Sequence, residues 1–212
     1  GISEHDARVI VATPGLAAYA QGAVDALAGG DAPKSWRDLL SPRWKGKILS
    51  DDLRPIGAGN GLFTVTYKTY GASFHEKLAA QALTFSRDPA NDARRVARGE
   101  YPLYIPQVYG LVSDFKGLPV KALLPADGTP YSSMDYCMLK GASHPNAARL
   151  MMNHFIEVES QVVYANGWMP PTVSGAIERA SEDARPYAGV KLMGTTNPAE
   201  REEMAALARK FY

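Results

Sequence analysis

The sequence predicts an α/β protein built on a mainly parallel sheet, and three observations carry that expectation. Short apolar runs at 8–13, 48–49, 101–105 and 120–124 read as strands. Stretches of helical size separate them, and glycine or proline punctuates the joins. Strands separated by helices of this length pair in parallel, with helices covering both faces of the sheet.

Composition narrows the partners. Of the 212 residues 46% are apolar and 21% charged, the proportions of an ordinary globular chain long enough to bury a sizeable core. With 23 basic against 22 acidic residues the net charge is +1, so nothing draws the chain to nucleic acid or to anionic lipid. A charged ligand has to be handled by local groups. Cys137 is the single cysteine; an internal disulfide is excluded, and its apolar setting predicts a buried, inert thiol. No run reaches the roughly 18 apolar residues of a membrane span.

Taken in order, 8–13 is the first strand and 16–27 a short alanine-rich helix stopped by Gly29 and Gly30. Ser35 and Asp38 have the spacing of a capping box, and Trp36 and Trp44 are expected against the sheet edge and the neighbouring helix. A strand begins at Ile48. Ser73 and Glu76 form a second capping-box spacing, and Leu78, Ala79, Ala82 and Phe85 follow at helical intervals. Asp92 reads as the cap of a helix running through Arg98 to Gly99, and Pro102 suits the start of the strand 101–105. A helix over 107–116 and a strand over 120–124 follow. Pro145 opens a helix whose apolar stripe is Ala148, Met151, Met152, Phe155 and Val158. The run 168–171 is irregular, and Asn197–Pro198 starts a terminal helix with acids at its head and Arg209 and Lys210 at its tail.

The organising stretch is 47–71, KILSDDLRPIGAGNGLFTVTYKTYG. Two acids and Arg54 lead from the strand into a turn carrying Gly57, Gly59 and Gly61. A helix beginning there presents unpaired backbone N–H groups and a positive dipole end, which suits an anion. Against this, the alternation of Phe63, Val65 and Tyr67 with threonines favours a strand by local propensity.

Catalytic groupings are sparse. The four histidines, His5, His75, His144 and His154, are not at ligand spacing, and His144 before Pro145 reads as a helix cap. No Gly-x-Ser-x-Gly elbow or phosphate loop ending in Gly-Lys-Ser/Thr occurs. Asp51–Asp52 reads as a surface acid pair. Tyr101, Tyr104 and Tyr109 cluster where a strand meets a helix; the first two are expected to pack with solvated hydroxyls, and Tyr109 is the better candidate ligand group.

Several segments together resemble one family. APKSWRDLLSPRWKGKILSDD is similar to the P-x-(S/T)-W-x-D-L-x-x-P-x-W-K-G-K-I signature of bacterial extracellular solute-binding proteins of ABC importers, in the branch that contains ferric-ion-binding proteins. VARGEYPLYI, LLPADGT and KGASHPNAARLMMNHFIEVESQ resemble further segments of it, in the family's order. The resemblance implies a periplasmic-binding-protein-like type II fold: two lobes with mainly parallel sheets flanked by helices, a hinge between them, and the amino-terminal part of the first lobe missing from this sequence. It divides the chain into a crossover strand region (1–14), the second lobe (15–120), the return crossover with the rest of the first lobe (121–160), and carboxy-terminal helices packing back on the second lobe (161–212).

The same resemblance turns FTVTYKTY into a helix and places ligand-binding positions on Arg54, Gly57, Ala58, Gly59, Asn60, Gln107 and Tyr109. It implies a periplasmic, monomeric receptor without cofactor or catalysis, which captures a small anion and hands it to a membrane permease. Ferric iron held by Tyr109 is the alternative, although the family's second tyrosine falls here on Gly110. A ligand-sensing domain of a regulator, or an enzyme on the same fold, is the further alternative. A bulky residue at Gly59 is expected to weaken anion binding while sparing the fold, and Tyr109→Phe to matter little if the ring only packs.

Overall fold

The structure, a computed structural model, describes residues 32–108, 120–132 and 135–212. The expected strand 8–13, helix 16–27 and most of the helix 107–116 lie outside the described residues.

The chain enters through a 3-10 helix, Trp36–Leu40, closed by the anticipated capping box: Ser35 N–H donates to Asp38 Oδ2 (3.0 Å) and Asp38 N–H to Ser35 Oγ (3.3 Å). A second 3-10 turn, Pro42–Trp44, feeds β1 (Ile48–Asp51). There follow α1 (Ala58–Tyr70), α2 (Ala72–Ala79), β2 (Thr84–Ser86), α3 (Pro89–Ala97), β3 (Leu103–Ile105) and β4 (Thr129–Pro130). Then come α4 (Pro145–Phe155), α5 (Val158–Asn166), α6 (Ala176–Arg179) and α7 (Arg185–Ala188). The chain ends in β5 (Leu192–Gly194), a 3-10 turn at Pro198–Glu200 and α8 (Arg201–Ala208).

The described residues fall into two compact units, one up to Tyr131 together with Leu192–Tyr212, the other Ser132–Lys191. In the first, β1 is the centre of a parallel sheet ordered β2-β1-β3, with Leu49 opposite Thr84 on one side and Tyr104 on the other. β4 and β5 form a second parallel pair. Ile48, Leu103 and Ile105 share a face by their alternation and register, and they join Leu53, Leu62, Phe63, Phe74, Leu78 and Met204 in the main core. Each large apolar side chain buried there contributes about 1.5–3 kcal/mol. Trp36 and Trp44 belong to the same core, Trp36 donating from Nε1 to the Gly128 carbonyl at 2.9 Å.

FTVTYKTY is helical. Seven residues of α1, Gly59, Asn60 and Leu62 to Thr66, are buried, so the element is covered well beyond one face. Its β-branched threonines accommodate the helix by back-bonding: Thr66 Oγ1 donates to the Leu62 carbonyl (2.6 Å) and Thr69 Oγ1 to that of Val65 (2.8 Å). Burial decides against local propensity.

Other expectations are corrected. Ser73 caps nothing; α2 follows Gly71, whose φ of +78° makes the break between the two helices. Asp88, not Asp92, caps α3 by accepting the Asn91 N–H (3.2 Å), with Pro89 in the first turn; Asp92 is fully buried inside the helix and paired with Arg95. Residues 120–124 form no strand.

In the second unit α4 opens at Pro145, with His144 at the cap position but making no side-chain cap bond. No residue of α4 is buried, and the helix ends at Phe155, so the expected stripe through Val158 is divided between α4 and α5. This unit coheres through small residues, Ala165, Ala180 and Ala188 in one buried cluster, and through stacked rings, Tyr136 on Phe155 (4.3 Å) and Trp168 on Tyr187 (4.1 Å). Cys137 is exposed, contrary to the expected buried thiol: the apolar run around it lies at the surface, with Leu139 74% exposed.

Candidate ligand-binding site

The carboxyl end of β1 is where the pieces meet. β1 runs out at Asp51, the chain turns through 52–57, and α1 starts back over the sheet at Ala58. The first turn of α1 approaches the strand so closely that a Cβ on Gly59 would overlap the Asp52 carbonyl and come within 2.8 Å of the Asp51 carbonyl oxygen. Gly59 is therefore required by packing, and the expectation that a bulky substitute spares the fold is corrected.

The structure gathers Arg54, Gly57, Ala58, Gly59 and Asn60 in this one turn, in unequal roles. Gly59 N–H donates to Asp51 Oδ2 at 2.7 Å, so the strand's own carboxylate occupies part of the helix start. Asn60 is 2% exposed and donates from Nδ2 to the Leu53 carbonyl (2.9 Å), pinning the turn from inside. Gly57 and Ala58 are exposed, with their backbone at the open end of the helix. Arg54 grips Asp52 with Nε (2.8 Å) and Nη2 (2.9 Å), donates from Nη1 to the Tyr212 carbonyl (3.3 Å), and lies 4.9 Å over the Phe85 ring.

The paired aspartates are electrostatically opposite. Asp52 is held below the usual carboxylate range, first by the Arg54 hydrogen bonds. Burial pushes Asp51 up, against the Gly59 hydrogen bond. β3 brings its own polar groups to the same end of the sheet, since Ser50 faces Ile105. There the Tyr104 hydroxyl and both polar ends of the Gln107 carboxamide are buried without a partner. The Tyr104 hydroxyl was expected in solvent; burial instead raises its pKa, helped by the charge of Asp51. Tyr101 donates to Thr84 Oγ1 (3.3 Å). Tyr109 lies outside the described residues.

Beside the turn is an open depression of about 470 Å³ lined by Asp52, Arg54, Pro55, Arg87, Arg209 and Tyr212. The sequence reading took Asp51 for a surface acid and Arg209 for a helix-tail base, and it did not name Arg87. An acid between a strand and a glycine-rich turn is a usable signal for Asp51, but only folding brings Arg87, after β2, to Arg209, after α8. Among the described residues no group of three or more His, Cys, Asp or Glu could hold a metal ion. His75 is a core residue here: fully buried, with Nδ1 2.8 Å from the Tyr212 hydroxyl and Nε2 3.1 Å from Thr66 Oγ1, and its ring 4.5 Å from Phe63.

A parallel sheet covered by helices, with polar groups collected at its carboxyl end, is the arrangement in which open α/β proteins place ligands. The family model for bacterial extracellular solute-binding proteins matches residues 22–190, and the chain belongs to that family. A Haemophilus influenzae protein described as uncharacterized is 25% identical over 140 residues, 62% of this chain and 39% of that protein. The fold is shared with the crystal structure of the substrate-binding protein of an ABC transporter from Agrobacterium tumefaciens, with a TM-score of 0.59 and 16% identity, over 84% of this chain and 59% of that one. This chain thus spans less than two thirds of either protein.

Proposed function

We propose that this chain is part of the solute-capturing component of an ABC-type importer, which takes up a small anion on the periplasmic side of the membrane and delivers it, as a monomer, to a membrane permease. Residues 15–120 with the returning carboxy-terminal helices are read as its second lobe. The observation that carries the anion is the exposed start of α1 at Gly57 and Ala58, beside the Arg54 guanidinium fixed on Asp52. Backbone N–H groups and the dipole of a 13-residue helix favour a negative ligand at that point. Gln107 adds a carboxamide whose donor and acceptor are both unused.

The test is Ala58→Pro. Proline is accepted at the first helical position and deletes only the N–H there. Across a calorimetric panel of small anions, the best ligand should lose about tenfold in affinity while the helical signal is kept. Unchanged affinity refutes the helix-start reading. A phenolate charge-transfer colour on ferric loading, lost in Tyr109→Phe, would replace the anion by ferric iron.

A further inference from the structure

We infer that Ser160, His154 and Glu157 of the second unit form a nucleophilic triad able to hydrolyse small aliphatic esters. The inference stands apart from the anion-binding reading, since none of the three belongs to the turn between β1 and α1. All come from the corner between α4 and α5: His154 from the last turn of α4, Glu157 from the N-cap of α5, and Ser160 from its first turn. His154 Nδ1 lies 2.8 Å from Glu157 Oε2, and its Nε2 lies 3.2 Å from Ser160 Oγ. A carboxylate only accepts, so Nδ1 carries the proton donated to Glu157, and Nε2 is left to accept from the Ser160 hydroxyl. Acyl transfer needs this relay of nucleophile, base and orienting acid.

Groups outside the relay hold the corner. Gln161 donates from Nε2 to the Phe155 carbonyl (2.7 Å) and accepts the Thr172 N–H on Oε1 (2.8 Å), while Glu157 N–H donates to the His154 carbonyl (3.2 Å). The Glu157 side chain makes no cap bond to α5, so its carboxylate is left to the imidazole. Ser160 lies in the first turn of a helix of 9 residues, whose positive dipole end favours the negative charge that develops on a carbonyl oxygen under attack. Glu159, the other acid of that turn, is paired with Arg179 at 3.1 Å. Ser160 is 8% exposed, which admits a slim ester carbonyl and not a folded peptide chain. His154 is exposed, as are Leu150 and Met151 one turn before it on α4. Residues at that spacing are neighbours on a helix surface, so an aliphatic acyl chain finds an apolar strip beside the base.

In the reaction, Ser160 Oγ bonds to the ester carbonyl carbon as its proton passes to His154 Nε2. The bond to the alcohol oxygen then breaks, and the alcohol leaves with that proton. Water attacks the acyl-serine and gives a proton to Nε2; the bond to Oγ breaks, Oγ recovers the proton, and the carboxylic acid departs.

Hydrolysis of p-nitrophenyl butyrate, with an alkyl fluorophosphonate as covalent probe, tests the triad. The wild-type chain should release p-nitrophenol above the buffer rate and take up the phosphonyl group on the tryptic peptide that contains Ser160. Ser160→Ala and His154→Gln should each lower kcat about a hundredfold and abolish labelling of that peptide. Glu157→Gln should lower kcat about tenfold with KM unchanged, which marks an orienting group and not a binding defect. Hydrolysis that survives Ser160→Ala but is lost in His154→Gln overturns the serine nucleophile in favour of a bare imidazole reaction. No hydrolysis above buffer with an unlabelled Ser160 peptide, or labelling untouched by His154→Gln, overturns the triad. Turnover and label are both read on the unmutated chain, so a variant that unfolds does not decide the outcome.

Discussion

The carboxylate of Asp51 accepts the backbone N–H of Gly59 at 2.7 Å, so the last residue of the central strand sits at the positive end of the helix that follows it. A ligand arriving at Gly57 and Ala58 shares that helix end with a negative charge already in place. Asp51→Asn keeps a hydrogen-bond acceptor but removes the charge, and should raise the affinity for small anions about five- to tenfold by calorimetry. Because Asp51 is shifted up by burial, it is protonated at a higher pH than an ordinary aspartate. The wild-type protein should therefore approach the variant's affinity as pH falls through the carboxylate range, for an anion that itself stays charged.

Gly59 and Gly61 are two residues apart on α1 and should respond oppositely to alanine. At Gly59 the new methyl group overlaps the Asp52 backbone, and displacing helix from strand should cost about 2–4 kcal/mol. At Gly61 it meets open space, so the gain in helix propensity should stabilise by about 0.5–1 kcal/mol. Urea denaturation of both variants decides it; equal effects would contradict the close approach at Gly59.

His75 makes stability depend on pH. Burial lowers its pKa from 6.5 to about 4, so between these values the unfolded chain binds a proton that the folded chain rejects. Its contribution is complete above pH 6.5 and is lost as pH falls toward 4, on the order of 3 kcal/mol in all. Denaturant midpoints measured across that window should fall with acid, and His75→Phe should flatten the slope even if it lowers the whole curve.

Asp127 Oδ2 receives both the Tyr70 hydroxyl (2.5 Å) and the Trp36 N–H (3.2 Å), tying the end of α1 and the entry helix to the loop before β4. Tyr70→Phe should cost about 1–2 kcal/mol. Asp127→Ala should cost more, because it strands two donors at once. The two variants compared in one set of melts test the shared acceptor.

Two strands of the main sheet were legible as short apolar runs bounded by turns, Ile48 and Leu49 announcing β1 and Pro102 the start of β3; the third was not, since Phe85, read at helical spacing, lies in β2. The boundaries of helices were less legible where two polar residues competed for one cap. Asp88 precedes Pro89, which fills the first turn without needing an N–H, and that pairing outranks Asp92 four residues later. In α1, the threonines read as strand formers until their hydroxyls are seen bonded to carbonyls one turn back. Glycine spacing pointed to the turn between β1 and α1, where the helix does begin. Which N–H was already occupied, and which arginines converge from distant segments, are three-dimensional facts that spacing does not encode.

The alanine cluster of the second unit has a kinetic side. Ala165, Ala180 and Ala188 bury few methylene groups, so this packing gives back little transfer free energy per residue ordered. Residues 135–191 should open as a cooperative segment well before the strands around Ile48 do, and their amide hydrogens should exchange with solvent first. A chain assembled this way keeps one stiff part and one part that breathes.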